Sequence, residues 1–167
     1  MRVAGVAQKL NAQINREFYS SNLYLQLSEW CAAHRFNSSA LFLRHQAQGN
    51  VTQMMRVFDF MKHAGAMPVV RMSETPNSAC TSLEEIYIQT LQDCQLRLTT
   101  LSRLAHEAEN ADDLETLTFL HELEEMQQEE GLLVNTLLEE VRKANEAGLG
   151  MEQTDKSLLP IFTPNLH

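Results

Sequence analysis

The chain has 167 residues, 44% of them hydrophobic and 21% charged, which suits a single domain with a packed core and a solvated surface. Its net charge is −9, from 22 acidic against 13 basic residues, so it repels phosphate backbones and favours cations as partners rather than nucleic acid. No apolar run reaches membrane-spanning length, the start Met1-Arg-Val-Ala-Gly-Val-Ala-Gln lacks a signal-peptide stretch, and Cys31, Cys80 and Cys94 are an odd set without metal-site spacing; a reduced, cytoplasmic protein is expected.

Helical periodicity runs through the chain, and no alternating strand pattern competes with it. A first helix is predicted over about 5–34, with Leu10, Ile14, Ser21, Tyr24, Ser28 and Cys31 stepping inward by threes and fours. Asn37-Ser38-Ser39 reads as a cap, and a second helix follows through Leu43, Ala47, Met54, Val57 and Met61 to Gly65. Residues 66–81, with Pro68, Pro76, Asn77 and Ser78, read as irregular. Ser82-Leu-Glu-Glu85 is a capping box opening a third helix whose inward residues are Tyr87, Leu91, Leu98, Leu101 and Ala105. After a turn at Asn110-Ala-Asp-Asp, a fourth helix buries Leu120, Leu123, Val134, Leu137 and Val141 and ends near Gly148 or Gly150. A short fifth helix is predicted over about 152–160, ahead of Pro164.

Loop lengths select the topology. Helices one and two, and three and four, are joined by short turns and form antiparallel hairpins. The central connection of about 16 residues can span roughly 50 Å extended, and a helix of about 27 residues is only about 40 Å long. It can therefore cross the full bundle, a reading preferred over a disordered loop in a simple up-down bundle. The predicted fold is a single all-α domain over 1–167, a four-helix bundle over about 5–147 with a long crossover between helices two and three.

Polar residues interrupt the apolar stripes half-way along each helix. Glu17 lies between Ile14 and Ser21, Asn50 follows Ala47 with Gln53 one turn on, Cys94 lies between Leu91 and Leu98, and Gln127 and Glu130 lie between Leu123 and Val134. Glu17 to Asn50 and Cys94 to Gln127 are both separations of 33 residues, and Asn50 and Gln127 each have an i+3 partner, as in an internal duplication. One residue from each of two helices and an i, i+3 pair from each of the others is the pattern of di-metal carboxylate bundles, because i and i+3 share a helix face. The donor types are poor for that task. Iron pairs want anionic oxygen and imidazole, and here Glu17 and Glu130 alone are carboxylates. With Leu98 read as inward, no Lys or Arg falls on these stripes, so each carboxylate is expected to need a proton, a donor network or a cation. A hydrogen-bond network of amides around two carboxyl groups, with the Tyr24 hydroxyl added, is weighed against a single weakly held cation and a full metal pair.

The stretches Asn15-Arg-Glu-Phe-Tyr-Ser-Ser, Leu41-Phe-Leu-Arg-His-Gln-Ala-Gln and Ser82-Leu-Glu-Glu, together with the helix plan, resemble the bacterial non-haem ferritins over nearly the whole chain. The resemblance implies a ferritin-like fold and a homo-oligomeric hollow cage of 24 subunits that takes up ferrous iron, oxidises it and stores ferric mineral. Carried over residue by residue, the first-helix Glu stands as Glu17 with Tyr24 near it. The second-helix Glu-x-x-His has become Asn50-x-x-Gln53, the third-helix Glu is Cys94, and the fourth-helix Gln and Glu stand as Gln127 and Glu130. At the third iron position Gly49 and Met126 replace two Glu residues, while Glu129 and Glu130 remain. These departures look like the ferritin-like B-type branch. Haem-binding bacterioferritins carry a Met directly after the second-helix Glu; here Val51 follows Asn50, so no haem is expected, and Met54 and Met55 read as packing residues.

Those features together predict an iron-storage subunit with weak or absent ferroxidase activity, its candidate metal contacts being Glu17, Asn50, Gln53, Gln127, Glu129 and Glu130. Two other readings stand beside it. One is an active ferroxidase with rearranged ligands, including a Cys94 thiolate, which thiolate softness and oxidation disfavour. The other is a structural subunit co-assembling with an active ferritin. The Glu-rich fourth helix (Glu122, Glu124, Glu125, Glu129, Glu130, Glu139, Glu140) offers mineral nucleation if it faces a cavity, although such runs are more often solvated.

Overall fold

The computed structural model describes residues 5–71, 76 and 79–166; the expected irregular positions Asn77 and Ser78 lie outside these. The described residues form six α-helices: α1 (Gly5–Lys9), α2 (Asn11–Ala33), α3 (Asn37–His63), α4 (Leu83–Asn110), α5 (Leu114–Glu146) and α6 (Met151–Phe162), followed by a 3-10 turn at Thr163–Asn165. No strand occurs among the described residues, and none of their helices is long and apolar enough to cross a membrane. The first predicted helix is thus split at Leu10. The interruption is local, since Leu10 keeps near-helical angles (φ −64°, ψ −12°) and its side chain is fully buried. The last helix runs through Pro160 to Phe162, beyond its predicted end.

α2 packs on α3 and α4 packs on α5 as the two hairpins, and α2 also meets α4. Gly65 (φ +82°) and Gly148 (φ +75°) end α3 and α5 in the left-handed conformation, which a side chain would strain. The backbone N–H groups that follow them, at Ala66 and Leu149, turn back to Met61 and Ala144 at 2.8 and 3.0 Å.

The crossover is held by amides spaced one turn apart on α1 and α2. Gln8 exchanges hydrogen bonds with the backbone of Met67 (2.8 and 3.0 Å). The side chain of Asn11 accepts from the N–H of Val69 (2.9 Å), and that of Asn15 accepts from the N–H of Arg71 (2.8 Å). Segment 67–71 therefore lies along this helix, its main-chain groups satisfied by side chains in place of a neighbouring strand.

Two caps differ from the sequence expectation. Ser82 does accept from the N–H of Glu85 (3.2 Å), but the reciprocal half of the box goes to Thr81, whose N–H and hydroxyl reach the Glu85 carboxylate at 2.8 and 3.0 Å. Asn37-Ser38-Ser39 does not cap α3 with its own side chains; Phe36 holds the cap position. The acceptor comes from α6. The buried Asp155 carboxylate takes the N–H groups of Ser38 and Ser39 at 2.9 and 2.8 Å, placing negative charge at a helix N-terminus and tying the last helix to the bundle.

The apolar core falls into two clusters. One gathers Tyr24, Leu27, Cys31, Leu43, Tyr87, Leu137, Val141 and Phe162; the other gathers Leu10, Ile14, Val57, Met61, Leu101, Leu120 and Leu123. Replacing Asp155 by Ala is expected to lower the thermal midpoint by about 4 °C, from the loss of about 1–2 kcal/mol of capping, with Asn intermediate. Differential scanning calorimetry of the two variants checks this, and an unchanged midpoint for the Ala variant contradicts it.

Candidate functional site

Between the two apolar clusters the helices present a polar layer. α2 contributes Gln13 and Glu17, α3 Asn50, α4 Asp93, Cys94 and Arg97, and α5 Gln127 and Glu130. The duplication read from the spacing has a contact in each hairpin. Asn50 Nδ2 donates to Glu17 Oε2 at 3.2 Å across α2 and α3, and Gln127 Nε2 donates to the Cys94 carbonyl at 3.3 Å across α4 and α5, both at a separation of 33 residues. Gln127 Nε2 also reaches Glu130 Oε2 at 3.0 Å.

The centre of the layer is occupied by a cation from the chain itself. Arg97, 2% exposed, is the largest fully buried side chain. Its Nε lies 3.1 Å from Asp93 Oδ2, its Nη1 3.4 Å from Glu17 Oε1, and its Nη2 2.9 Å from Glu130 Oε2 and 2.8 Å from the Tyr24 hydroxyl. The Tyr24 hydroxyl in turn donates to Asp93 Oδ2 at 2.7 Å, and Arg16 Nη2 reaches the other Asp93 oxygen at 2.6 Å. This corrects the expectation that no basic residue enters the stripes. α4 turns Arg97 inward and leaves Leu98 half-buried, because three buried or half-buried carboxylates without a counter-charge would cost far more than the exposed edge of a leucine. Asp93 was likewise absent from the sequence reading. Asp93 and Arg97, an i, i+4 acid–base pair flanking Cys94, were the available signal.

Burial shifts the titrations. The Glu17 carboxyl is raised above its ordinary value by desolvation, which outweighs the long ion pair to Arg97. Arg97 is itself held more firmly charged than usual, since the surrounding Glu130, Tyr24, Glu17 and Cys94 outweigh its desolvation. The two directions are compatible: one guanidinium is shared by several acceptors, whereas Glu17 has only its edge. Burial pushes the Cys94 thiol up to about 12, with the Glu130 charge acting in the same direction, so at neutral pH it is a protonated thiol. Tyr24 is also raised, by burial first.

Glu17, Asn50, Gln53, Gln127, Glu129 and Glu130 all line one cavity of about 290 Å³, with Arg97 in its wall. Their contacts divide them. Glu17, Asn50, Gln127 and Glu130 belong to the network around Arg97. Gln53 is turned outward, its Oε1 accepting from Arg56 Nη1 at 3.2 Å and its Nε2 lying 3.6 Å from the Met126 sulfur, and Glu129 is exposed at the rim. The carbonyl oxygens of Gln13 and Asn50 are buried without a partner, because each amide is fixed by donating its NH₂ to Glu17. Gly49 and Met126 also line the cavity.

This donor set does not fit an iron pair. Its carboxylates already accept from a guanidinium, its one sulfur suits softer metals, and neutral amides stand where anionic or imidazole ligands are wanted. Among the described residues no three His, Cys, Asp or Glu side chains are grouped to hold a metal ion as they stand.

Comparison with known proteins places this geometry in a lineage. A family model described as a ferritin-like domain matches residues 7–144. A bacterial non-heme ferritin-like protein of Escherichia coli K12 is 49% identical over the full length of both chains. A bacterial non-heme ferritin of Escherichia coli O6:H1 is 37% identical over 95% of this chain and 96% of its own. The solved structure of Chlorobium tepidum ferritin superposes with a TM-score of 0.83, at 28% identity, over 87% of this chain and 88% of that one.

Because Glu17 carries a raised value in the fold, its contribution to stability is present below the ordinary carboxylate range and is lost as pH rises through the folded value. Glu17→Gln removes the buried charge, and the Asn50 amide can turn so that its unpartnered oxygen accepts from the new NH₂. The variant is expected to match or exceed the parent's thermal midpoint at pH 7.5 and to lose that advantage toward pH 4. A loss of about 5 °C or more at pH 7.5 would contradict the account.

Proposed function

The chain belongs to the ferritin-like family of iron-storage proteins, and from that membership we propose that it forms a subunit of a homo-oligomeric, 24-subunit cytoplasmic cage that stores iron with weak or absent ferroxidase activity of its own. The observation that carries this reading is the guanidinium of Arg97 at the point where the four helices bring their polar residues together. An iron pair would add four positive charges beside a buried cation that is already matched by Glu17, Asp93 and Glu130. Entry would require Arg97 to leave, and its departure would have to carry a charged group out of a layer sealed above and below by apolar clusters.

Iron is the cargo in this reading, in ferrous form on uptake and ferric form in store. Glu129 at the cavity rim and Glu130, whose side chain is 22% exposed, are the carboxylates placed to meet an incoming ion, with Glu17, Asn50, Gln53 and Gln127 behind them. Haem has no part, since Val51 stands where the bacterioferritins carry Met. The reading as an active ferroxidase with rearranged ligands needs Cys94 as a ligand, and thiolate favours softer metals and is readily oxidised. A subunit without a working centre is also suited to co-assembly with an active ferritin.

Anaerobic protein mixed with ferrous iron and oxygen in a stopped-flow instrument tests the proposal. Slow oxidation with no phase that saturates at a fixed iron-to-subunit ratio is expected; a fast phase saturating at two irons per subunit would overturn it.

A further inference from the structure

Three carboxylates and a phenol converge on Arg97 from three different helices. Asp93 Oδ2 at 3.1 Å, Glu17 Oε1 at 3.4 Å, Glu130 Oε2 at 2.9 Å and the Tyr24 hydroxyl at 2.8 Å all face guanidinium nitrogens, in a layer whose Glu17, Tyr24 and Asp93 are almost completely buried. We propose that Arg97 is the residue that decides cation occupancy here: its guanidinium is the resident cation, and removing it alone turns Glu17, Asp93, Glu130 and Tyr24 into a site for one divalent, oxygen-preferring metal ion. The inference rests on the reading of the unmodified centre as closed to an iron pair, and extends it by naming the cause and a ligand, Asp93, that the di-iron pattern does not contain.

With Arg97 in place, Glu17, Asp93 and Glu130 face Arg97 and Arg16. Without it, three carboxylates face one guanidinium, leaving two negative charges that one divalent ion matches. The donors are hard oxygens, the type that Mg²⁺, Mn²⁺ and Fe²⁺ take. Asp93 is fixed by Arg16 at 2.6 Å and by Tyr24 at 2.7 Å, so it forms the firm corner of the site. Glu17 and Glu130 have longer side chains, and rotation bringing each inward by roughly 1–2 Å gives metal–oxygen distances of about 2.0–2.6 Å. The space left by the arginine side chain admits waters as remaining ligands.

Mn²⁺ titrated by calorimetry into the assembled protein and its Arg97→Ala, Arg97→Lys and Arg97→Ala/Asp93→Asn variants tests the inference. Arg97→Ala is expected to gain one site per chain that binds at least tenfold more tightly than anything in the parent. Arg97→Lys, which keeps the positive charge, and the double variant, which loses the fixed carboxylate, are expected to gain none. Should Arg97→Ala fold poorly, its helicity and thermal midpoint are followed with and without Mn²⁺. Recovery by the metal in that variant and not in the double variant supports the proposal, and no recovery overturns it. An Arg97→Ala protein that folds and binds Mn²⁺ as the parent does also overturns it. The function proposed above fails separately, by fast iron oxidation in the unmodified chain.

Discussion

A buried arginine surrounded by acids sets the conditions under which the rest of this bundle can form. Arg97 sits where the apolar core is interrupted, with one hydrophobic cluster toward the crossover entry at Ala66 and the other toward Cys80 and α6. Each neighbouring acid comes from a different turn or helix, so the ion pairs bind α2, α4 and α5 into one register. The pairs add little net stability beyond offsetting their own desolvation, but a packing that strands Arg97 without its acids costs about 3–5 kcal/mol. The layer thus selects the arrangement of helices more than it strengthens it.

That selection separates two properties that a di-iron bundle ordinarily joins. In such a bundle the metal pair can serve both as the chemistry and as the counter-charge for buried carboxylates. Here the counter-charge is covalently part of α4, so the chain satisfies its interior without metal. The crossover held by Gln8, Asn11 and Asn15 and the tie from Asp155 to α3 use side chains outside the centre. A ferritin-like scaffold can therefore be kept with an arginine at the level where its polar residues meet.

Much of this was legible from residue order. The four long helices, the hairpin pairing, the long crossover and the polar level containing Glu17, Asn50, Cys94, Gln127 and Glu130 all follow from period, loop length and spacing. The orientation of α4 did not. Stepping from Cys94 by four chose Leu98, which hydropathy favours, and stepping by three would have chosen Arg97; local pattern alone does not decide between neighbours on one face, whereas the unpaired carboxylates of other helices do. The cap on α3 escaped for a similar reason. Asp155 is more than a hundred residues from Ser39, and nothing near Asn37 signals that its N-terminus is satisfied from elsewhere. Long-range electrostatics supplied what periodicity lacked.

Arg97 fills the heart of this bundle, and the function proposed above has it do so in place of a metal. A crystal soaked anaerobically in ferrous iron, with anomalous scattering recorded at the iron edge, tests it most directly. The account predicts guanidinium density between Glu17, Asp93 and Glu130 and no anomalous peak within bonding distance of Glu17. Two ordered iron peaks there, with the Arg97 side chain displaced, would contradict it.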